Sequence, residues 1–354
     1  MSTKYVPVKW NRNKKVYDAF VVVGITSYLA AFVTVGRAAW TGENAISFPV
    51  LLARALGTCA LVMLHVALAL GPLARLDERF LPLVYNRRHL GVATFLVGLA
   101  HAIVTTGYYH GFGALGPLVS LFSVPGPIPF EWLGAVALAI LFVMAATSHD
   151  FWQKALGGSA WKWLHLSVYL AYALLVAHVL FGALRSETNL LYPIVVGVGF
   201  VALAGLHLAT GLHERRRDER PFPKTDRVPL PIGWVDAGSV DEIPQDRAKV
   251  VCLPGHERVA VFRHAGGISA VTNVCAHQRG PLGEGKVVDG CITCPWHGWE
   301  YRPEDGCSPP PFQEKIATYR VAVRDRRVLI DPDPLPPGTH VEPARVEEEY
   351  RVTN

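Results

Sequence analysis

The chain has little charge and lacks the glycine motif that binds dinucleotides. Asp, Glu, Lys and Arg make up only 18% of its 354 residues, whereas 51% are hydrophobic. Soluble domains carry about 25% charged residues, so this composition excludes an ordinary soluble protein. No Gly-x-Gly-x-x-Gly segment lies between a predicted strand and a predicted helix. The sequence therefore predicts no flavin or nicotinamide site.

Long apolar runs occupy residues 16–213, and the rest of the chain has the composition of a soluble domain. About 20 apolar residues are needed to cross a bilayer core of about 30 Å, and a backbone in lipid must be helical to pair its polar groups. Buried helices of a soluble core are the alternative, but they would be shorter and amphipathic. The sequence predicts an all-α six-helix transmembrane bundle with spans at 16–40, 47–72, 89–112, 130–147, 161–184 and 190–213.

Basic residues are missing from some of the predicted loops. Residues 42–44 and 113–129 contain no Lys or Arg, and Arg185 is the single one after the fifth span. Basic residues cluster instead before the first span, after the second and after the sixth. The positive-inside rule then predicts that both termini are cytoplasmic. We expect the six spans to cross a bacterial inner membrane, and the cysteines on its cytoplasmic side to be reduced. The last basic run is expected to meet lipid headgroups rather than nucleic acid.

A Cys and His pair occurs twice in the soluble part of the sequence. Cys275 and His277 are followed, after sixteen residues, by Cys294 and then His297. Each loop can therefore offer a thiolate and an imidazole to adjacent irons. Two thiolates on one iron and two imidazoles on the other form a Rieske [2Fe–2S] cluster. A structural zinc site is the alternative, although it usually takes both cysteines from one loop and both histidines from a helix.

The residues around these pairs resemble a known family. Residues 273–282 (NVCAHQRGPL) and 294–301 (CPWHGWEY) are similar to Rieske ferredoxins and to the Rieske domains of aromatic-ring dioxygenase systems. The resemblance covers about residues 233–331. It implies a small all-β domain and places the prolines at 309–311 in a third loop over the cluster.

The resemblance also implies a role for each ligand. Cys275 and Cys294 would hold one iron, and His277 and His297 would hold the exposed one. Rieske proteins of quinol-oxidising complexes add a disulfide between the ligand loops, but Arg279 or a neighbour occupies the first of those cysteine positions here. This departure implies a ferredoxin-like cluster toward the lower end of the Rieske potential range.

Histidines fall inside the predicted spans, where ionisable side chains are costly and usually functional. His165 and His178 lie thirteen residues apart on the fifth span, so they project to within roughly 60° of one face and lie roughly 20 Å apart along the axis. The third span offers His89 and His101 at matching depths. The sequence predicts haem ligation by His101, His178 and His165, with one or two haems.

The partner of His165 stays open between His89 and His65. For His65, as for His207, a hydrogen bond to a neighbouring backbone carbonyl explains a membrane histidine equally well.

A second resemblance rests on the same helices. Residues 87–91 (RRHLG), 99–101 (LAH) and 161–165 (WKWLH), followed by Tyr169, resemble the ferric-reductase-like transmembrane domain over about residues 50–213. That superfamily includes ferric reductases, NADPH oxidases and the haem-binding subunit of a methionine sulfoxide reductase system. The resemblance implies a b-type haem protein that moves electrons across a membrane.

Two one-electron carriers without a dinucleotide site predict an electron relay, an oxidoreductase component. A soluble reductase or ferredoxin would serve the cluster, and a quinone or a periplasmic redox protein would serve the far side. A redox-sensing regulatory protein without a haem relay is the alternative. A Rieske oxygenase is excluded, because its mononuclear iron takes two histidines and a carboxylate, whereas the 57 residues after His297 contain only His340.

The predicted domain order follows from these patterns. It comprises an N-terminal segment (1–15), a membrane domain (16–213), a basic and Pro-rich linker (214–231), a Rieske domain (232–333) and a flexible tail (334–354).

Overall fold

The structure is a computed structural model that describes residues 12–42, 45–111, 116, 119, 130–186, 190–219, 233–255, 257–296 and 298–346. The chain divides into two compact units. In the described part of the chain, the helical unit consists of residues within 12–74 and 86–208. The second unit joins residues 75–85 to the described residues within 209–346. Two helices therefore start in the helical unit and end in the second unit.

The helices follow the apolar runs of the sequence. Their bounds are α1 Arg12–Ala39, α2 Phe48–Leu76, α3 Leu81–Tyr85, α4 Arg87–His110, α5 Phe130–Ala146, α6 Asp150–Leu156, α7 Gly158–Leu166, α8 Val168–Phe181, α9 Ala183–Ser186 and α10 Leu191–Asp218. The predicted fifth span thus consists of α7, α8 and α9.

Among the described residues, five helical stretches are long and apolar enough to cross a membrane: Lys14–Ala39, Phe48–Leu76, Arg87–His110, Ala160–Arg185 and Tyr192–Asp218. The fourth predicted span, α5, is a shorter apolar helix of 17 residues. Large apolar side chains such as Phe20 and Val201 stay 73% and 67% exposed. Lipid accommodates such faces, which water disfavours. The chain is an integral membrane protein.

Small side chains bring α5 and α8 together. Ala137 of α5 and Ala171 of α8 are fully buried, beside Phe95 of α4 and Leu141 of α5. Small residues at a helix interface let the backbones approach closely, which drives helix association in lipid. A second cluster joins three leucines of α2 to Tyr172 of α8 and Val196 of α10. These contacts bring the histidine-bearing helices side by side.

The second unit contains the β-structure that the sequence predicts after the membrane domain. Its strands are β1 Val235–Ser239, β2 Ala248–Cys252, β3 Arg258–His264, β4 Gly267–Thr272, β5 Lys286–Val288, β6 Cys291–Thr293, β7 Glu300–Tyr301, β8 Thr318–Tyr319, β9 Val321–Arg324 and β10 Arg327–Ile330. Within the described residues they form three antiparallel sheets, ordered β1-β10-β9, β2-β3-β4-β8 and β5-β6-β7.

Two hydrophobic clusters occupy the two faces of the central sheet. Val259, Val261 and Ile268 belong to one cluster, together with residues of β1 and β10. Ala260 and Phe262 belong to the other, which also contains both predicted cysteine ligands. Alternating side chains on β3 serve the two clusters, as the pleat of a strand requires. The cysteine loops are therefore fixed to a packed core.

Two boundaries differ from the predictions. Residues 214–218, predicted as the start of the linker, form the last turn of α10. Residues 334–346, predicted as part of a flexible tail, lie along the β-domain instead. Ile268 and Ala344 exchange two backbone hydrogen bonds of 2.9 Å, and Val346 packs against the core. An exposed edge at the start of β4 accepts this segment, a long-range pairing that composition does not reveal.

Candidate functional site

Two loops with the same hydrogen-bond pattern carry the predicted cysteines. The amide of Cys275 donates to the carbonyl of Gly280 (2.9 Å), and the amide of Cys294 donates to Trp299 (2.8 Å). The fourth residue after each cysteine, Arg279 or Gly298, donates back to the cysteine carbonyl and has a positive φ of 58° or 71°. The second loop is the tip of the β6–β7 hairpin. The two loops thus present their thiols from equivalent positions.

The two thiols lie together in a buried site. Cys275 and Cys294 are 0% and 2% exposed. Burial alone would raise the pKa of Cys275, but hydrogen bonds from Cys294, from the Tyr301 hydroxyl and from backbone amides outweigh it, so the pKa falls below that of an ordinary thiol. A stabilised thiolate is the form that binds iron. The thiol half of the site therefore fits an iron–sulfur cluster.

Tyr301 on β7 donates its hydroxyl proton toward the first thiol. Its oxygen accepts the amides of Ala276 (2.9 Å) and His277 (3.3 Å) and lies 3.3 Å from Cys275 Sγ. Because both amides donate to this oxygen, its own proton is left for the sulfur. Burial, followed by the charge of Cys275, raises the pKa of Tyr301 far above its ordinary value. Tyr301 therefore stays a donor at every physiological pH.

The histidine half of the site is more enclosed than the resemblance implies. His277, expected to hold an exposed iron, is 3% exposed and stacks on Trp299 with ring centroids 4.1 Å apart. The fourth predicted ligand, His297, lies outside the described residues. Within the described ranges, no three His, Cys, Asp or Glu side chains are close enough together to hold a metal ion.

The predicted third loop lies beside the same tryptophan. Trp299 Nε1 donates to Ser308 Oγ at 2.9 Å, and the ring of Phe312 lies 4.5 Å from that of Trp299. The prolines at 309–311 connect Ser308 to Phe312. Trp299 is 1% exposed, so it packs the third loop against His277.

His101 of α4 and His178 of α8 face each other in the helical unit. Their ring centroids are 6.5 Å apart and the ring planes are nearly perpendicular, at 83°. An imidazole nitrogen binds a divalent metal at about 2.0–2.1 Å, so two imidazoles on opposite sides of one iron have ring centroids about 6 Å apart. The observed spacing fits a haem iron between the two rings.

Backbone carbonyls fix the tautomer of both rings. His101 Nδ1 donates to the carbonyl of Ala53 (2.9 Å), and His178 Nδ1 donates to that of Phe130 (2.8 Å). A carbonyl only accepts, so Nδ1 carries the proton and Nε2 keeps the lone pair that a metal needs. This arrangement is typical of metal-binding histidines.

Glycines provide the space behind both rings. A Cβ atom on Gly57 of α2 would lie 3.1 Å from His101 Nδ1, and one on Gly134 of α5 would lie 2.8 Å from His178 Nδ1. The second distance is shorter than Cβ atoms tolerate. Each imidazole therefore packs directly against the backbone of a glycine on a neighbouring helix.

The other membrane histidines differ in which nitrogens are engaged. His165 Nδ1 bonds the carbonyl of Trp161 (3.1 Å), while its Nε2 is buried and makes no hydrogen bond to the residues that the structure describes. His89 Nδ1 lies 2.6 Å from the carboxylate of Asp18 on α1. His65 uses both nitrogens, one on Leu61 and one on the Tyr172 hydroxyl. His207 does the same with Leu203 and Tyr169.

Sequence reasoning missed several contributors to these sites. Tyr301 falls inside a quoted motif, four residues beyond a predicted ligand, so a role at the site could have been suspected. Asp18 is an acidic residue inside an apolar run, which is itself a functional signal. Gly57 and Gly134 gave no signal, because their role depends on which helices are neighbours.

Two family models match the chain. A Rieske [2Fe-2S] domain matches residues 233–320, and a ferric reductase like transmembrane component matches residues 56–176. These matches confirm both resemblances. They support a [2Fe–2S] cluster in the β-domain and a role in electron transfer at the membrane.

Curated relatives divide between the same two regions. A protein-methionine-sulfoxide reductase heme-binding subunit MsrQ of Bordetella pertussis is 31% identical over 191 residues, which covers 53% of this chain and 89% of that protein. The ferredoxin component of the alkene monooxygenase system of Xanthobacter autotrophicus is 32% identical over 30% of this chain and 86% of its own length. A cholesterol 7-desaturase of Xenopus laevis is 35% identical over 127 residues, and the chain spans 27% of its length. It spans 59% of the corresponding MsrQ of Ralstonia nicotianae.

Among solved structures, a complex of reduced oxygenase and oxidized ferredoxin in carbazole 1,9a-dioxygenase matches 29% of this chain and 97% of that chain, with 21% identity and a TM-score of 0.28. By its MsrQ and ferredoxin relatives, the chain belongs to the ferric-reductase-like transmembrane family and carries in addition a domain of the Rieske ferredoxin family.

Proposed function

We propose that the protein passes single electrons between a Rieske [2Fe–2S] cluster and b-type haem in the bilayer. The observation that carries this proposal is the pair His101 and His178, whose ring centroids are 6.5 Å apart with both Nδ1 atoms bound to carbonyls. Both cofactors are one-electron carriers, and the protein supplies ligands, burial and orientation. The first haem is held by Nε2 of these two histidines.

The cluster ligands are Cys275, Cys294, His277 and His297. The paired loops, the lowered pKa of Cys275 and the proton of Tyr301 support the thiolate half.

His165 is the ligand of a second haem, and His89 is its favoured partner. Nε2 of His165 is buried and available, whereas both nitrogens of His65 are already engaged. The carboxylate of Asp18 at 2.6 Å orients His89 as carboxylates orient metal-binding histidines elsewhere. The chain then holds two haems, one on each pair.

The membrane domain crosses a bacterial inner membrane six times, with both termini and the Rieske domain in the cytoplasm. The helix α5, with 17 residues, is at the short end of the length that spans a bilayer, about 17–25 residues. The basic residues before α1, after α2 and at the end of α10 support this orientation.

A soluble reductase or ferredoxin exchanges electrons with the cluster, and a quinone or a periplasmic redox protein exchanges them with the haems. The relatives support both ends: one is named as a ferredoxin component of a monooxygenase system and one as the heme-binding subunit of a protein-methionine-sulfoxide reductase.

Reduced-minus-oxidised spectra of the purified protein test the haem proposal. We expect a b-type haem band in the parent and the loss of at least one haem in His178→Ala. His207→Ala is the matched control, since its ring is engaged at both nitrogens and its loss should leave the haem content unchanged. Full haem content in His178→Ala would overturn the ligand assignment, and a parent without any haem band would favour a redox-sensing regulator.

A further inference from the structure

Charged side chains join the β-domain to the ends of two helices. Arg75 lies in the last turn of α2, and Glu214, Arg217 and Asp218 lie in the last two turns of α10. They meet Arg258 of β3 and Glu284, which follows the first cysteine loop. All of these residues belong to the second compact unit.

Arg258 is the centre of this group. Its Nη1 lies 2.5 Å from Glu214 Oε2, and its Nη2 bonds Asp218 Oδ2. Glu214 and Asp218 are four residues apart on α10, so they lie one above the other on the same face of the helix. The planar guanidinium fork can therefore bridge the two carboxylates at once.

The groups in this contact are partly buried. The side chain of Glu214 is 11% exposed, that of Asp218 is 25% exposed and that of Arg258 is 32% exposed. Arg217 reaches the same carboxylate of Glu214 at 2.9 Å. Removing one partner of such a pair is strongly destabilising, because it leaves an uncompensated buried charge.

A second attachment comes from α2. The Arg75 guanidinium lies 4.0 Å from the carboxylate of Glu284, whose side chain is 17% exposed. The β-domain thus contacts the end of a second helix, over a longer distance than the contacts of Arg258.

This arrangement explains the acidic residues within the basic run at 213–220. An interpretation of that run as a membrane anchor accounts for its basic residues only. Arg215 and Arg216 are exposed, whereas Glu214, which directly precedes them, is buried and contacts Arg258. In the last turns of α10, Arg215 and Arg216 therefore face away from the β-domain contact, whereas the acidic residues form it.

We infer that the end of α10, through Glu214 and Asp218, is a docking site for the Rieske domain, with Arg258 as its main anchor. The domain is held in place by this contact and not only by the chain that connects it to α10. The dock is independent of the electron path proposed above, because it requires neither cluster nor haem ligation.

Cutting the connecting chain tests the dock directly. A specific protease site placed between Lys224 and Thr225 of the full-length protein, with an affinity tag at the N-terminus, allows cleavage in detergent. We expect the cleaved Rieske domain to stay bound to the tagged part at low salt and to be released progressively as salt screens the contact. Immediate release of the parent domain on cleavage would overturn the inference.

Charge variants identify the anchor. Arg258→Glu should raise the dissociation constant of the cut domain by about tenfold or more, and combining it with Asp218→Arg should restore part of the binding. Arg320→Glu is the matched control, because Arg320 pairs with Asp331 inside the β-domain, at 2.9 Å. The cleaved domain of this variant should stay bound to the tagged part. Unchanged retention in Arg258→Glu would refute the role of this residue.

The cluster signal in electron paramagnetic resonance checks that each variant is folded. If Arg258→Glu loses that signal, the pair Glu214→Gln with Asp218→Asn tests the same contact from the helix side without altering the β-domain. Release in that variant supports the dock, and full retention overturns it. Haem content and electron transfer are measured separately, so failure of the dock would leave the proposed function untouched.

Discussion

At the scale of single residues, the hydroxyl of Tyr301 dominates the surroundings of the buried thiols. The absence of the disulfide cysteine near Arg279 implies a cluster toward the lower end of the Rieske potential range, but a donor 3.3 Å from Cys275 Sγ acts in the opposite direction. Hydrogen bonds to the sulfurs help to set the reduction potential, since they stabilise the more negative, reduced cluster. The motif predicts the ligands, whereas the potential also depends on Tyr301, which the β6–β7 hairpin places beside the first ligand loop.

Tyr301→Phe should therefore lower the reduction potential of the cluster. A hydrogen bond to a charged group that is stronger by about 1 kcal/mol in the reduced state corresponds to a shift on the order of 40 mV for a one-electron couple. A redox titration followed by electron paramagnetic resonance measures the change.

Tyr319→Phe is the control for this substitution. Tyr319 is equally buried, but its hydroxyl donates to Glu257 at 2.6 Å and not to a thiol. Its loss should leave the potential unchanged. Equal potentials in the parent and in Tyr301→Phe would show that the hydroxyl does not tune the cluster.

Glu284 should make the stability of the Rieske domain depend on pH. Burial raises the pKa of Glu284 from 4.5 to about 7, although Arg75 opposes the shift. Because the folded state holds this proton more tightly than the unfolded state, the stabilisation is present below pH 4.5 and is lost as the pH rises to about 7. The shift corresponds to a loss on the order of 3 kcal/mol.

The variant Glu284→Gln removes that titration. We expect its thermal midpoint, followed by the visible absorption of the cluster, to exceed that of the parent above pH 7 and to vary less with pH. Glu342→Gln is the control, because Glu342 is 79% exposed. If parent and Glu284→Gln showed the same pH profile, the carboxyl would not titrate as described.

At the scale of elements, the packing of α2, α4, α5 and α8 determines which histidines meet. Counting residues from the helix ends predicts that His101 and His178 lie at similar depths, and the structure brings their rings together. Counting does not predict that the carbonyls of Ala53 and Phe130 fix the tautomers of these two rings. These carbonyls come from neighbouring helices 48 residues away in the chain in each case.

A methyl group on Gly134 should disturb the haem site without touching a ligand. Its Cβ would lie 2.8 Å from His178 Nδ1, so Gly134→Ala should displace the ring or break its bond to Phe130. Changes in the groups that orient a metal ligand cost about 10–100-fold in affinity. Haem titration of the apoprotein, followed in the Soret region, measures the loss.

Gly91→Ala on α4 serves as the comparison, since a Cβ atom there meets nothing within 4 Å. This variant should bind haem as the parent does. Parental affinity in Gly134→Ala would mean that His178 does not occupy the position described here when haem is bound.

At the scale of the whole molecule, the two units carry separate sets of candidate ligands. The order of membrane domain and β-domain could be predicted from composition and two motifs, and the family matches confirm it. The extension of α10 to Asp218 and the pairing of residues 334–346 with the β-domain could not. Both depend on contacts between segments distant in sequence, such as Glu214 with Arg258 and Ala344 with Ile268.

The cofactors should therefore be lost independently. Cys275→Ser should abolish the cluster signal and keep the b-type haem band, whereas His178→Ala should keep the cluster signal and lose haem. Spectra of both variants, prepared in the same way, provide the measurement. Loss of both cofactors in either variant, with the protein still monodisperse, would contradict this separation.

The perpendicular rings of His101 and His178 have a consequence for speed. Their carbonyl partners and the glycines behind them fix each imidazole in place through the protein alone. If a haem iron bound between the two rings, as proposed, these residues would need little rearrangement on electron transfer, because a preorganised polar environment has already incurred that cost during folding. Two histidine ligands would also leave no room for a substrate at that iron, so the site would favour the rapid transit of charge.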